Sequence, residues 1–320
     1  MTRAGGLLLG FAADRAFGDP RHFHPVAGFG SLAGVLERRW YADSRPRGAA
    51  YAAVLVGGAA VAGVLVERRC TGRDAVRLVA TAVTTWTVLG GRSLEREATA
   101  VGALLGDGDL VGARSRVTHL VGRDPSALDA GEVSRAVVES VAENTADAVV
   151  APLVWGAAAG VPGLLAYRAA NTLDAMVGHL TERHEHFGWA SARLDDVLNL
   201  PASRLTGLLT MAAKPGSASA AWRAWRRDAR AHPSPNAGIP EAAFAGALGV
   251  CLGGTNVYGD HTEHGTEPRA EHRAPLGDGR RVTPADIARA TRLALRVDVL
   301  AVVVAAGLAT LLGRRGGHRS

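Results

Sequence analysis

Residues 144–175 read NTADAVVAPLVWGAAAGVPGLLAYRAANTLDA, and this stretch decides how the chain folds. The phrase Asn-Thr-x-Asp-Ala stands at both of its ends. A straight helix would hold Asp147 and Asp174 about 40 Å apart, at a rise of about 1.5 Å per residue. The midpoint carries Gly160-Val161-Pro162-Gly163, the strongest turn signal of the segment. We therefore predict a helical hairpin that turns near Val161 and returns the second phrase to the level of the first.

Each arm of this hairpin is short for a membrane span. About 13 residues rise only about 20 Å, whereas the hydrocarbon layer of a bilayer is about 30 Å thick. We therefore expect a partly inserted hairpin near 139–179, with its re-entrant or spanning part at 148–170.

The composition favours a membrane protein. The chain has 320 residues, of which 48% are hydrophobic and only 5% aromatic. Glycine and alanine supply much of the apolar content, as close helix contact in a bilayer requires. Further candidate spans lie at 49–66, 78–91 and 297–312. The expected fold is all-α: one multi-pass, membrane-embedded domain over 1–320, with polar helical segments and a solvated loop at 258–281.

The charge pattern argues against nucleic-acid binding. The net charge is +6, and it comes from scattered arginines, many of them paired with acidic residues, rather than from a dense basic stripe. The basic tail after 297–312 indicates a cytoplasmic C-terminus. No GxxxxGK[ST], GxSxG or HExxH motif is present, so a P-loop nucleotide site is excluded.

Candidate functional residues gather at the two ends of the hairpin. Glu139, Glu143 and Asp147 recur at intervals of four and so share a helix face, with Asn144 beside them. Like charges at that spacing repel. The second arm presents Arg168, Asn171 and Asp174 in steps of three, again on one face.

Together the two arms offer the hard oxygen ligands that Mg²⁺ prefers, with room for water and substrate phosphate. The metal ligands expected from this pattern are Glu139, Glu143, Asp147, Asn171 and Asp174. The alternative is an internal salt-bridge cluster of the same carboxylates with Arg135 and Arg168.

A third polar cluster follows at 183–206. Asp195, Asp196 and Asn199 add oxygen ligands, and Arg193 and Arg204 are cations that can hold phosphate in bidentate fashion. A charged helix end beside a membrane would look similar. Further on, the SPNAG loop at 234–238, which includes Asn236, could border a ligand pocket, and a plain turn explains it equally well.

Long ordered blocks of the sequence resemble the adenosylcobinamide-phosphate synthase family (CobD/CbiB) of cobalamin biosynthesis. These blocks are DRAFGDPRHFHPV at 14–26, GRSLEREA at 91–98, VESVAENTADAVVAPLVW at 138–155, YRAANTLDAMVGH at 167–179, FGWASARLDDVLN at 187–199 and HPSPNAGIPEAAFAGALGVCLGG at 232–254. The chain departs from the family pattern at His179 and Leu180, where Tyr and Lys are usual.

The resemblance implies a ligase of the cytoplasmic membrane. It would join adenosylcobyric acid to (R)-1-aminopropan-2-ol or its O-phosphate through an amide bond, using ATP and Mg²⁺ on the cytoplasmic side. Other cobalamin-assembly enzymes are possible partners, and nucleic acid is not expected. A membrane corrinoid transporter and a non-catalytic scaffold of the pathway remain as alternatives.

Site roles then follow from this chemistry as expectations. An acyl phosphate or its equivalent must form, and metal ions and arginines stabilise transferring phosphoryl groups. We expect Asp147, Asp174, Asp195, Asp196 and Arg193 to be catalytic, with Asp195 or Asp196 taking the ammonium proton. The ATP and substrate phosphates would contact Arg204, Asn144, Asn171, Arg168 and Asn236.

Overall fold

The computed structural model describes residues 2–19, 24–122, 124–178, 181, 183–258 and 269–316. Helices dominate this part of the chain, as the sequence predicts. They are α1 (Thr2–Phe17), α2 (Pro25–Trp40), α3 (Arg45–Arg69), α4 (Asp74–Val88), α5 (Gly91–Gly106), α6 (Leu110–Val117), α7 (Ala130–Thr145), α8 (Ala151–Val177), α9 (Trp189–Ala213), α10 (Ala218–Asp228), α11 (Gly238–Leu248) and α12 (Ala285–Gly316). A π-helical turn, Ala146–Val150, joins α7 to α8. His179 and Leu180 lie outside the described residues.

The chain divides into two compact units. The first contains residues 1–92, 147–202 and 301–320, and the second contains residues 93–146 and 203–300. Because α9 and α12 are each interrupted by a unit boundary, both helices contribute to both units.

The predicted hairpin is confirmed in the first unit. Gly160 interrupts α8 with φ 70° and ψ −146°, a conformation that is essentially reserved for glycine. Beyond it, the Tyr167 hydroxyl lies 2.9 Å from the carbonyl oxygen of Asp147. Twenty residues of straight helix would separate these positions by about 30 Å. The chain therefore doubles back at Gly160.

Side chains from two other helices satisfy the backbone groups that this turn exposes. Nη1 of Arg3 donates to the carbonyl oxygens of Ala157 and Ala158, each at 3.3 Å, at the end of the first arm. Oε1 of Glu67 accepts from the amide of Val161, at 3.1 Å, at the start of the second arm. Capping of this kind matters most where water is excluded.

The second arm packs along α3. Gly63 lies so close to Pro162 that a side chain at Gly63 would have no room. Near the other end of the arm, Val177 shares a buried core with Tyr51. The arm and α3 thus run antiparallel, side by side, over about 22 Å.

Small residues also set the contact between α1 and α4. Gly6 and Gly10, spaced as GxxxG, face Thr81 and Thr85 closely enough that an added Cβ would collide with the threonine side chains. This small-residue packing is typical of helices in a bilayer.

Within the described residues, three segments are long and apolar enough to cross a membrane: Arg45–Arg69, Ala130–Val177 and Ala285–Arg314. They contain the predicted segments 49–66, 148–170 and 297–312, and the chain is a helical membrane protein. The second of them is the segment folded at Gly160. The predicted span 78–91 is not one helix, because α4 ends at Val88 and α5 begins at Gly91. Between them Leu89 is extended, and the amide of Gly90 donates to the carbonyl of Ala148.

The second unit contains a small sheet that the sequence analysis missed. Strand β1 (Val250–Tyr258) pairs antiparallel with β2 (Arg269–Leu276) and parallel with β3 (Arg280–Arg281). The predicted solvated loop at 258–281 is therefore wrong over β2. Backbone pairing with a register shift between Leu252 and Gly254 forms this sheet, and neither β1 nor β2 shows the strict alternation of apolar and polar residues that would reveal a strand.

Candidate active site

Three segments of the first unit meet around Tyr167. Its hydroxyl lies 2.9 Å from the carbonyl oxygen of Asp147 in the π turn and 2.8 Å from Oδ1 of Asn199 on α9. Both Tyr167 and Asn199 are about 1% exposed. The hydroxyl carries one proton and can donate it to either of these acceptors, so it links α8 to the π turn or to α9 inside the buried site.

Asp195 is the centre of the polar network. Nδ2 of Asn199 donates to one of its carboxylate oxygens at 2.9 Å, and Nδ2 of Asn171 donates to the other at 3.3 Å. Burial and, next, the charge of Asp174 raise the pKa of Asp195 to about 7, although the hydrogen bonds from the two carboxamides oppose the shift. The carboxyl group is thus poised between its neutral and ionised forms near neutral pH.

The second arm supplies the residues opposite Asp195. Nη1 of Arg168 lies 3.3 Å from Oδ1 of Asn171, so the Asn171 carboxamide is held between a cation and a carboxyl group. The side chain of Asp174 turns back over Gly178, where a Cβ would collide with it. Asn171, Asp174 and Asp195, which the sequence predicts as site residues, are therefore brought together.

The π turn modifies the pattern read from the first arm. Intervals of four describe a regular helix, which holds for Glu139 and Glu143 in α7. Asp147 stands inside the π-helical turn, where that periodicity is interrupted. Turns of this type are rare and occur frequently at functional sites.

Helix α9 separates the two adjacent aspartates. Asp195 points into the network, whereas Asp196 lies 3.7 Å from Nη1 of Arg193, a side chain that is 68% exposed. Burial raises the pKa of Asp196, and Arg193 opposes that shift. Arg193 and Asp196 thus form an ion pair near the surface, which is the alternative that the sequence analysis left open for this cluster.

The side chains of Glu139 and Asn144 contact residues of their own unit, the second. The Glu139 carboxylate lies 3.1 Å from Nη1 of Arg135 and accepts from the amide of Gly253 at 2.9 Å. This arrangement matches the predicted alternative of an internal salt bridge, and it fastens β1 to α7. Asn144 donates to the carbonyl oxygen of Ser140 at 2.9 Å, and Glu143 is half-buried.

Arg204 and Asn236 meet in the second unit. Nη1 of Arg204 donates to Oδ1 of Asn236 and to Oγ of Ser203, both at 2.9 Å. Asn236 is buried, so the SPNAG loop is more than a plain surface turn. The two residues that the sequence analysis assigned to phosphate or substrate contact therefore belong to one hydrogen-bonded group.

Three residues of the first unit had no predicted role: Tyr167, Asp14 and Asp19. Tyr167 completes the network together with Asn199, which the sequence predicts as an oxygen ligand beside Asp195. The charge of Asp19 acts on the Arg168 guanidinium. Asp14 is buried, and its Oδ2 accepts from the amide of Arg92 at 3.2 Å. Both aspartates stand in the block DRAFGDPRHFHPV, to which no role was assigned.

The side chains of this site suit Mg²⁺ only if water and phosphate supply the remaining ligands. No group of three or more His, Cys, Asp or Glu side chains in the described part of the chain is arranged to hold a metal. However, Asp195 and Asp174 are neighbouring acidic groups, and the described hydrogen-bond partners of Asp195 are two carboxamides. Mg²⁺ commonly takes one or two protein carboxylates and completes its shell with water and phosphate.

Comparison with known proteins identifies related sequences along almost the whole chain. The sequence profile of the family described as CobD/Cbib protein matches residues 7–294. A cobalamin biosynthesis protein CobD of Mycobacterium tuberculosis is 48% identical over 313 residues, which cover 97% of this chain and 95% of that protein. Proteins of the same name from Geobacter metallireducens and Rhodobacter capsulatus are 45% and 43% identical, over 98% and 92% of this chain and 99% and 93% of their own lengths. No solved structure matches the chain.

Proposed function

We propose that this chain, which belongs to the CobD/CbiB family and acts in cobalamin biosynthesis, is the ligase that joins adenosylcobyric acid to (R)-1-aminopropan-2-ol or its O-phosphate. The reaction consumes ATP and forms one amide bond. The observation that carries the proposal is the buried Asp195, held by Asn171 and Asn199 beside Asp174 in a helical membrane protein. A scaffold would not need such a group.

The chemistry requires activation of a carboxylate and removal of a proton. An unactivated carboxylate does not react with an amine, so a phosphoryl group from ATP must first be transferred to it. The amine arrives as an ammonium ion and must lose a proton before it attacks. A base works best when its pKa is close to the operating pH. Asp195, with a pKa of about 7, meets this condition and is the proposed base.

Asp147, Asn171 and Asp174 would hold Mg²⁺ together with the phosphates of ATP. When bound, the ion neutralises the charge that develops on the transferring phosphoryl oxygens. Arg168 holds the Asn171 carboxamide in place, and Tyr167 joins the π turn to α9. Arg204, held by Asn236, is the proposed contact for a substrate phosphate in the second unit. We expect the reaction to take place on the cytoplasmic side of the cell membrane, where ATP is available.

A single assay tests this function. The protein purified in detergent is incubated with adenosylcobyric acid, aminopropanol or its phosphate, and Mg-ATP. We expect adenosylcobinamide or its phosphate to form together with ADP and inorganic phosphate, because the phosphate of the acyl phosphate leaves when the amine attacks. The better amine identifies the true substrate. Binding of the corrinoid without product would instead support the transporter or scaffold function.

Stability should fall as the pH rises in the absence of Mg²⁺. In the unfolded chain Asp195 ionises near its ordinary pKa of 3.8, whereas the folded protein keeps the proton to about 7. Between these values the unfolded state binds fewer protons, so each rise in pH favours unfolding. We expect the Tm in detergent to drop by about 5 °C between pH 4.5 and pH 8.

Asp195→Asn is the matched variant for this measurement. The neutral carboxamide cannot ionise, so the pH dependence should flatten. Mg²⁺ at pH 8 should raise the Tm of both proteins, because Asp195→Asn keeps the proposed ligands Asp147, Asn171 and Asp174. Equal slopes for the two proteins would assign the pH dependence to other groups.

A further inference from the structure

The second unit contains a strongly basic cavity that the proposed reaction does not use. Its volume is about 310 Å³. Four of its lining residues are cationic and two are leucines, and no carboxylate lines it: Lys214, Leu248, Arg289, Arg292, Leu293 and Arg296. Because four positive charges converge on one concave surface, the field inside favours an anion.

Two of these cations are anchored to the end of a helix. Nζ of Lys214, the only lysine of the chain, donates to the carbonyl oxygen of Ala247 at 2.6 Å. Nη2 of Arg289 donates to the carbonyl oxygen of Leu248, also at 2.6 Å. These carbonyls belong to the last turn of α11, which Gly249 ends in the left-handed conformation. Cations are stabilised at this end of a helix, so both side chains are held in place before any ligand arrives.

The other two cations extend the same surface along α12. Arg289, Arg292 and Arg296 are spaced by three and four residues and therefore share one face of the helix. Asp286 pairs with Arg289 and Arg280. In contrast, Arg292 and Arg296 have no carboxylate within salt-bridge distance in the part of the chain that the structure describes.

Electrostatics within the cavity agree with this geometry. Burial lowers the pKa of the Lys214 ammonium, and the positive charges of Arg289 and Arg296 lower it further. An anion that binds between like positive charges in a partly buried site reduces the repulsion between them.

We propose that this cavity binds a phosphate-bearing anion. Arginine and lysine are the side chains that recognise phosphate, and the guanidinium groups can do so in bidentate fashion. Four cations with one carboxylate behind them suit a doubly or triply charged group better than a single carboxylate. Leu248 and Leu293 provide an apolar wall for whatever carries the phosphate.

Two sources could supply this anion. The predicted span 297–312 begins immediately after Arg296, so the basic face of α12 ends where that predicted span starts. An anionic phospholipid headgroup would meet basic residues at that level. A soluble polyphosphate would meet the same residues from the aqueous side. Neither source depends on the amide-forming reaction.

The test uses the full-length protein without Mg²⁺, so that the carboxylates around Asp195 do not contribute a phosphate site. One arm titrates inorganic pyrophosphate into the protein in neutral detergent and follows binding by calorimetry. The other arm compares nanodiscs of phosphatidylcholine with nanodiscs that contain phosphatidylglycerol, and measures the retained lipid by native mass spectrometry. The variants are Arg292→Gln with Arg296→Gln, and the single change Arg230→Gln at another exposed arginine of the same unit.

We expect the wild-type protein to bind in at least one arm, and the arm in which it binds identifies the source. The double variant should lose at least tenfold in affinity or retained lipid, whereas Arg230→Gln should behave as wild type. Thermal unfolding checks that both variants are folded, and if the double variant is not, Arg296→Gln alone should lose about threefold. No binding in either arm, or equal binding by all folded variants, would overturn the proposal.

Discussion

Asp195→Asn is expected to reduce amide formation by about a thousandfold while the protein remains folded. The carboxamide fills the same volume and can keep a hydrogen bond to Asn199, but it cannot take the ammonium proton. Positioned bases contribute between about a hundredfold and ten-thousandfold to a reaction rate. Turnover is measured with saturating Mg-ATP, and folding is checked by size-exclusion chromatography in detergent.

The matched control for this variant is Asp196→Asn. The two aspartates are adjacent on α9, but Asp196 pairs with the exposed Arg193 and Asp195 does not. We expect Asp196→Asn to lower the rate less than tenfold. If Asp196→Asn lowered the rate more than Asp195→Asn, Asp196 would be the base. If both variants turned over at the wild-type rate, neither aspartate of α9 would take part in the reaction.

Gly160→Ala should destabilise the protein strongly, through both backbone strain and a steric clash. Alanine rarely adopts φ 70° with ψ −146°, which costs on the order of 1–3 kcal/mol. Its Cβ would also collide with Oε1 of Glu67, the group that accepts from Val161. Together these effects should lower the free energy of unfolding by about 3 kcal/mol. Yield of folded protein and Tm in detergent report the loss.

Gly57→Ala provides the comparison. Gly57 lies within α3, and a Cβ there would meet no other atom. Alanine is the better helix former by about 1 kcal/mol, so this variant should be as stable as wild type or slightly more stable. A Gly160→Ala protein as stable as Gly57→Ala would show that the turn tolerates ordinary residues.

The hairpin could be predicted because its signals are local. Gly160 and Pro162 mark the turn, and the repeated phrase indicates which residues face each other. The side chains that stabilise the turn could not be predicted, since Arg3 and Glu67 are distant in sequence and carry no motif. Long-range partners of this kind depend on packing between helices, which one sequence does not encode in its spacing.

The sequence predicts several residues that the structure brings together, but it does not predict all of their contacts. Asn171, Asp174 and Asp195 were expected and are found together. Glu139 was a predicted metal ligand, and its carboxylate pairs with Arg135 and accepts from the amide of Gly253 within β1, a contact that helical spacing cannot reveal. The sheet of the second unit is the larger omission, and Glu139 is fastened to it.

The alignment of the second arm with α3 also relates the candidate site to the two ends of that helix. Pro162 lies beside Gly63, and Val177 shares a core with Tyr51, so Gly160 lies near the Arg68–Arg69 end of α3. Asp174, three residues before Val177, is within about 5 Å of the level of Tyr51 and so lies nearer the Arg45 end than the Arg69 end. If ATP reaches the carboxylates from the cytoplasm, the Arg45 end of α3 is cytoplasmic and the bend lies toward the outer leaflet. A thiol reagent that cannot cross lipid, applied to intact cells, would then label a cysteine placed beside Arg69 and spare one placed beside Arg45.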